Sequence, residues 1–151
     1  MRTFNTIDEV LDFAIQAEQE AVDFYNYLSN SAQSEGMRKA FVQYAQEEMG
    51  HKMKLLQIQS SGLFQLSAER VLDLRIADYL VDVIPSTSLS YAEALQLAMR
   101  KELAAFRMYT ELAGQAKNEE IKNVFQSLAF EESKHKLRFE LEYDEIVLKD
   151  N

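Results

Sequence analysis

The chain has 151 residues, 47% of them hydrophobic, which suits one packed domain spanning 1–151 and is too apolar for a disordered chain. Asp and Glu number 25 against 16 Lys and Arg, and the formal charge of −9 argues against nucleic acid or an anionic membrane as partner, since both need clustered positive charge. The lack of cysteine excludes disulfides, thiolate metal sites, iron–sulfur clusters and cysteine nucleophiles; one proline and four glycines give too few turns for a β-sandwich or barrel.

In chain order, residues 1–9 lack the apolar run of a secretory signal, and no 18 consecutive apolar residues occur anywhere, so a cytoplasmic protein is expected. Thr6-x-x-Glu9 reads as a capping box. After it Leu11, Ala14, Ala21, Phe24, Tyr25 and Leu28 recur at helical spacing. Asn30 suits the left-handed residue that closes a helix, and Ser34 the N-cap of the next, whose apolar face carries Phe41, Tyr44, Ala45 and Leu55. The stretch 57–90 is too long for a structureless connection, and residues 72–80 predict a short helix within it, ending before Pro85. Ser90-x-x-Glu93 is a second capping box, followed by Leu95, Ala98, Ala105, Met108, Tyr109 and Leu112. Gly114 matches Asn30 and Asn118 matches Ser34; a last helix carries Phe125, Leu128, Ala129 and Phe139.

These matches reflect an internal repeat. Residues 9–52 align with 93–136 at a constant offset of 84 without a gap, and 15 of the 44 pairs are identical. Each copy reads as a helical hairpin. The expected fold is therefore all-α, a four-helix bundle of two repeated hairpins joined by one long crossover containing a short helix.

Polar residues interrupt the apolar stripes at matched places. Glu18 has Leu11, Ala14, Ala21 and Tyr25 on its face, and Glu102 has Leu95, Ala98, Ala105 and Tyr109. Glu48 follows Phe41, Tyr44 and Ala45, with His51 one turn on; Glu132 and His135 repeat this after Phe125, Leu128 and Ala129. Four carboxylates and the chain's only two histidines thus face the interior. Burying one unpaired carboxylate costs several kcal/mol, so four together call for bound cations. One Glu from each of two helices, plus Glu-x-x-His from each of the other two, is the di-iron or di-manganese pattern of helix bundles. Two divalent ions would bring the formal charge from −9 to −5. Glu47 and Glu131 repeat as well but sit one residue off the core face, which makes them solvated groups or supports to the ligands. Tyr25 and Tyr109 are either core aromatics or hydrogen-bond donors to the Glu on their own helix. The six methionines read as packing.

Glu18-x-x-Ala21-x-x-Phe24-Tyr25 with Phe41-x-x-Tyr44-Ala45-x-Glu47-Glu48-x-x-His51 resembles the first hairpin of the rubrerythrin family, within the ferritin-like superfamily. Glu102-x-x-Ala105-x-x-Met108-Tyr109 with Phe125-x-x-Leu128-Ala129-x-Glu131-Glu132-x-x-His135 resembles the second. The resemblance implies two iron ions, with manganese or zinc able to occupy the same site. Glu48 and Glu132 would bridge them, Glu18 and Glu102 would be terminal ligands, and His51 and His135 would each give one nitrogen. It implies reduction of peroxide or oxygen; related activities are ferrous iron oxidation and storage, and a non-enzymatic metal-stabilised bundle is the alternative. Full rubrerythrins carry a cysteine-ligated rubredoxin domain, so without cysteine the electron donor would be a separate protein such as a rubredoxin. Rubrerythrins also have an extra Glu one turn after the third-helix ligand; here that residue is Ala105, and Met99 lies one turn before Glu102. A nearly symmetric site follows. The superfamily's habit of association makes a homodimer the expected state, with helix exchange open to it through the long crossover.

Overall fold

The computed structural model describes residues 3–75 and 89–150. Helices α1 (Ile7–Ser31) and α2 (Glu35–Ser61) form one hairpin, α4 (Tyr91–Gln115) and α5 (Glu119–Asp150) the other, and the short α3 (Ala68–Asp73) lies on the connection. No strand occurs among the described residues. The expected all-helical bundle of two hairpins is what forms.

Each helix starts where the sequence offers an acceptor. Thr6 Oγ1 accepts from the Glu9 N–H at 3.1 Å, Ser34 Oγ from Met37 at 3.1 Å and Asn118 Oδ1 from Ile121 at 3.1 Å. The second capping box is complete: the Glu93 carboxylate takes the Ser90 N–H at 3.0 Å while Ser90 Oγ takes the Glu93 N–H at 3.1 Å. The first is skewed. Glu9 Oε2 reaches past Thr6 to the Asn5 N–H, at 3.3 Å.

Helix ends depart from expectation. Asn30 and Gly114 lie inside their helices, which close on Ala32 and Ala116 in extended backbone. The left-handed residue is Gly62, with φ 67°, at the end of α2. On the connection, α3 overlaps the expected 72–80 helix only at residues 72 and 73. Ser67 Oγ caps it by accepting from Arg70, it stops at Asp73, and Leu74 and Arg75 are not helical; 76–88, with the rest of the expected helix and Pro85, lie outside the described residues.

The core falls into two apolar clusters. One gathers Leu11 and Ala14 from α1, Leu55 and Ile58 from α2, Tyr109 and Leu112 from α4, and Phe125 and Leu128 from α5, closed by Phe64, Val71 and Leu74 of the connection. The other gathers Phe24, Tyr25 and Leu28 from α1, Phe41 and Ala45 from α2, Leu95 and Ala98 from α4, and Phe139 from α5. Thus the start of α1 lies by the ends of α2 and α4 and the start of α5, so each helix runs antiparallel to both neighbours. Burying a Phe or Leu fully is worth about 1.5–3 kcal/mol, and both ends of the bundle hold several at 0–1% exposure. The level between the clusters is where the acidic residues meet.

Candidate metal centre

Glu18, Glu48, His51, Glu102, Glu132 and His135 are the buried charged residues of the described chain, none more than 4% exposed. Period places them there. Each occupies an apolar-stripe position about midway along its helix, so the packing that buries its neighbours buries it too.

They form two overlapping groups. Glu18, Glu48, His51 and Glu132 offer ligand atoms within 4.8 Å of one another, and so do Glu48, Glu102, Glu132 and His135. Glu48 and Glu132 belong to both. His51 Nδ1 lies 3.6 Å from Glu18 Oε2, 3.5 Å from Glu48 Oε1 and 2.8 Å from Glu132 Oε1; His135 Nδ1 lies 3.3 Å from Glu48 Oε1 and 3.7 Å from Glu102 Oε1. Despite these approaches, Glu18 Oε2, Glu48 Oε1, His51 Nδ1, Glu102 Oε2, Glu132 Oε1 and His135 Nδ1 are all buried without an aligned hydrogen bond. Six unsatisfied lone-pair atoms at one level would be a heavy penalty for a core with nothing to bind. The set fits a pair of divalent cations taking N and O ligands.

The outer nitrogens of both imidazoles are spoken for. His51 Nε2 pairs with the Glu131 carboxylate, and His135 Nε2 with Glu47 Oε2 at 2.9 Å. Each bond crosses from α2 to α5. With each Nε2 held against a carboxylate, Nδ1 is the nitrogen turned to the acidic cluster. Glu47 and Glu131 thus hydrogen-bond the two imidazoles from outside the cluster. Each is about one-third exposed, so both also touch solvent. Their repeat positions were visible in the sequence; the crossing was not.

The tyrosines divide. Tyr109 donates to Glu18 Oε1, a residue of the opposite hairpin rather than the Glu102 of its own helix. Tyr25, its repeat counterpart, is equally buried yet its hydroxyl has no hydrogen-bond partner. Tyr25 thus matches the core-aromatic reading, with its ring 5.6 Å from Phe139, and Tyr109 the donor reading. A second asymmetry lies at the imidazoles: Tyr44 lies against the His135 ring at 4.3 Å between centroids, whereas the residue matching Tyr44 in the other copy is Leu128.

Burial and mutual charge shift the titration of the whole cluster. Burial first, then Glu132 and Glu18, push the Glu48 carboxyl well above its usual range; burial with Glu102 and Glu18 does the same to Glu132. Glu102 rises to about 8, mainly through burial. Burial works against a charged His51, but the close carboxylates of Glu132, Glu18 and Glu48 outweigh it and raise the ring to about 12. His135 moves the same way, with burial opposing and Glu48 prevailing.

A family model for rubrerythrin matches residues 9–73 and 93–151. The chain belongs to the rubrerythrin family. The two matched segments are the two hairpins, and the interval between them falls in the crossover. No curated protein matches at a significant level. A solved structure of a hypothetical protein from Pyrococcus furiosus is similar over 92% of this chain and 89% of that one, with a TM-score of 0.73 and 22% sequence identity. At that identity it supports the fold alone. No helix among the described residues is long and apolar enough to cross a membrane.

Proposed function

We propose that this rubrerythrin-family protein is a di-iron carboxylate oxidoreductase that reduces peroxide or oxygen with electrons from an external donor. The observation that carries this is the pair of ligand groups sharing Glu48 and Glu132, with six unsatisfied buried donor atoms. In this reading Glu18, Glu48, His51 and Glu132 would hold one ion and Glu48, Glu102, Glu132 and His135 the other, with Glu48 and Glu132 common to both sets. Mixed carboxylate and imidazole ligation suits iron, and manganese or zinc fit the same donors.

Two ferrous ions would supply the two electrons that cleave an oxygen–oxygen bond, one each. The chain's own residues do the rest. Glu131 and Glu47 hold the protons of His51 Nε2 and His135 Nε2, fixing both rings in the orientation that offers Nδ1. Tyr109 keeps its proton on Glu18 Oε1, so that oxygen is occupied and Glu18 Oε2 is the free donor. The two apolar clusters close the site above and below and keep bulk water from the bundle axis. Electrons would come from a separate protein such as a rubredoxin.

The test starts with anaerobic purification and metal analysis per chain. Two ions bound in the native protein, and none in His51→Ala/His135→Ala, is the expected result; a native value well below two sinks the di-metal site. With ferrous iron loaded, stopped-flow spectra after peroxide and after oxygen assign the oxidant. Multiple turnovers of ferrous iron oxidation without a reductase would instead support a storage role of the ferritin kind. Reaction with neither oxidant would leave the metal structural.

A further inference from the structure

The outer face of α5 carries large apolar groups that nothing among the described residues covers. Phe130 is 62% exposed, Leu137 56%, Leu141 59% and Leu148 74%. With the exposed Lys134 and Asp144 they fall on positions 130, 134, 137, 141, 144 and 148, alternating steps of four and three that keep one seam of the helix, opposite the buried Glu132 and His135. The repeat supplies a control. The matching positions on α2 are Gln46, Gly50, Met53, Gln57 and Ser60, a face with one apolar residue among polar ones. Both outer faces belong to the same duplicated unit, yet only that of α5 is an apolar seam.

The order along this seam reads the same from either end: apolar, charged, apolar, apolar, charged, apolar. Two α5 helices laid antiparallel would set Phe130 against Leu148, Leu137 against Leu141, and Lys134 of each copy against Asp144 of the other. Laid parallel, Lys134 would meet Lys134 and Asp144 would meet Asp144. Charge complementarity therefore selects both the partner and its direction. Beside the two-fold axis, Arg138 and Glu140 of each copy would face their own equivalents. Both are engaged within their own chain, Arg138 with Met37 Sδ at 3.7 Å and Glu140 with Lys136, and rim charges in water weigh little. The seam runs over 19 residues of a 32-residue helix, about 28 Å of contact.

We propose that this face of α5 binds a second copy of the chain, forming an isologous homodimer through an antiparallel α5–α5 seam centred between Leu137 and Leu141. Burial of four leucine- or phenylalanine-sized groups per copy provides the affinity, and the two Lys134–Asp144 pairs set the register. The proposal does not depend on metal or on redox activity.

Sedimentation equilibrium on the metal-loaded full chain tests it. A reversible dimer is expected, and a protein that stays monomeric up to about 0.1 mM overturns the idea. Leu141→Glu should raise the dissociation constant on the order of a hundredfold with helicity unchanged by circular dichroism. A dimer that survives it uses another surface. Lys134→Asp or Asp144→Lys alone should weaken the dimer about tenfold, and the two together should restore it; failure to restore rejects the register. These two positions are exposed, so the reversal also serves if the glutamate variant does not fold. Because the chain lacks cysteine, Leu137→Cys and Leu141→Cys variants give a clean reading of direction. The mixture should form disulfide-linked dimers far more readily than either variant alone. Equal cross-linking of each variant by itself would mean parallel pairing.

Discussion

The two hairpins are copies of one unit, and comparing them separates what the bundle needs from what each half was free to change. Where their faces meet at the bundle axis, the residues are identical: Glu18 and Glu102, Glu48 and Glu132, His51 and His135, Glu47 and Glu131. One shell out the symmetry breaks. Tyr109 hydrogen-bonds Glu18 across the bundle while Tyr25 bonds nothing, and Tyr44 lies on His135 whereas its match in the other copy is Leu128. On the outer faces of the second helices the copies diverge, mostly polar on α2 and mostly apolar on α5. The physical reason is gradation of constraint. A misplaced ligand leaves an uncompensated charge in the core, a lost second contact costs one hydrogen bond, and an outer residue costs almost nothing in the isolated chain.

The largest effects should come from breaking the shared level. Glu48→Ala and Glu132→Ala each remove a residue common to both ligand groups, so metal analysis should show both ions lost. Glu18→Ala or Glu102→Ala should lose one. Equal losses from all four variants would show that the shared and terminal roles are misassigned. Chelation of the native protein should lower its stability by several kcal/mol, read from the shift of its urea midpoint.

Next in size are the cores on either side. Phe41 and Phe125 occupy matched positions, both 0% exposed, one in each apolar cluster. Truncation to alanine should cost about 3–5 kcal/mol at either site, and similar values from denaturant unfolding would show the two clusters to be energetic equivalents. Should Phe125→Ala cost clearly more, the surplus belongs to Phe64 of the connection, whose ring packs on it at 5.2 Å.

The tyrosines offer a smaller and sharper contrast. Tyr109→Phe leaves Glu18 Oε1 without its donor and should cost about 1.5–3 kcal/mol, while Tyr25→Phe removes a hydroxyl with no partner and should be neutral or slightly stabilising. Matched urea curves of the metal-free variants decide it, and equal costs would erase the asymmetry.

Smallest is the difference at the helix starts. Ser90→Ala should cost about 1 kcal/mol through loss of the cap. Its partner Glu93 is held below the usual carboxylate range, first by its bond to the Ser90 backbone and then by the Ser90 side chain. A lowered folded value means the contribution is present above the unfolded-state pKa and disappears as pH falls through the folded one. The stability gap between native protein and Glu93→Gln, measured from pH 6 down to pH 3, should therefore narrow toward acid, and a constant gap would contradict the box.

Much of the site was legible because ligand positions obey helical period. A Glu at a stripe position with four apolar neighbours can point nowhere but inward, and the offset of 84 showed the pattern twice. N-caps were legible for a similar reason, since a side-chain acceptor three residues before a free N–H acts locally. Helix ends were not. Asn30 and Gly114 tolerate a left-handed turn but do not require one, and continued packing of Leu28 and of Leu112 with Ala113 carries each helix past them. On the connection, α3 begins at Ala68 because Ser67 supplies a cap, a local signal separate from the apolar periodicity of 72–80.

The sequence by itself determined that four long helices form in two repeated hairpins and that six ionisable residues share their apolar faces, because both follow from periods of a few residues. Only the tertiary structure decided who meets whom across the bundle: Glu131 with His51, Glu47 with His135, Tyr109 with Glu18. Those partners lie 80 or more residues apart, and their pairing depends on the antiparallel setting of one hairpin against the other, a geometry that local spacing does not encode.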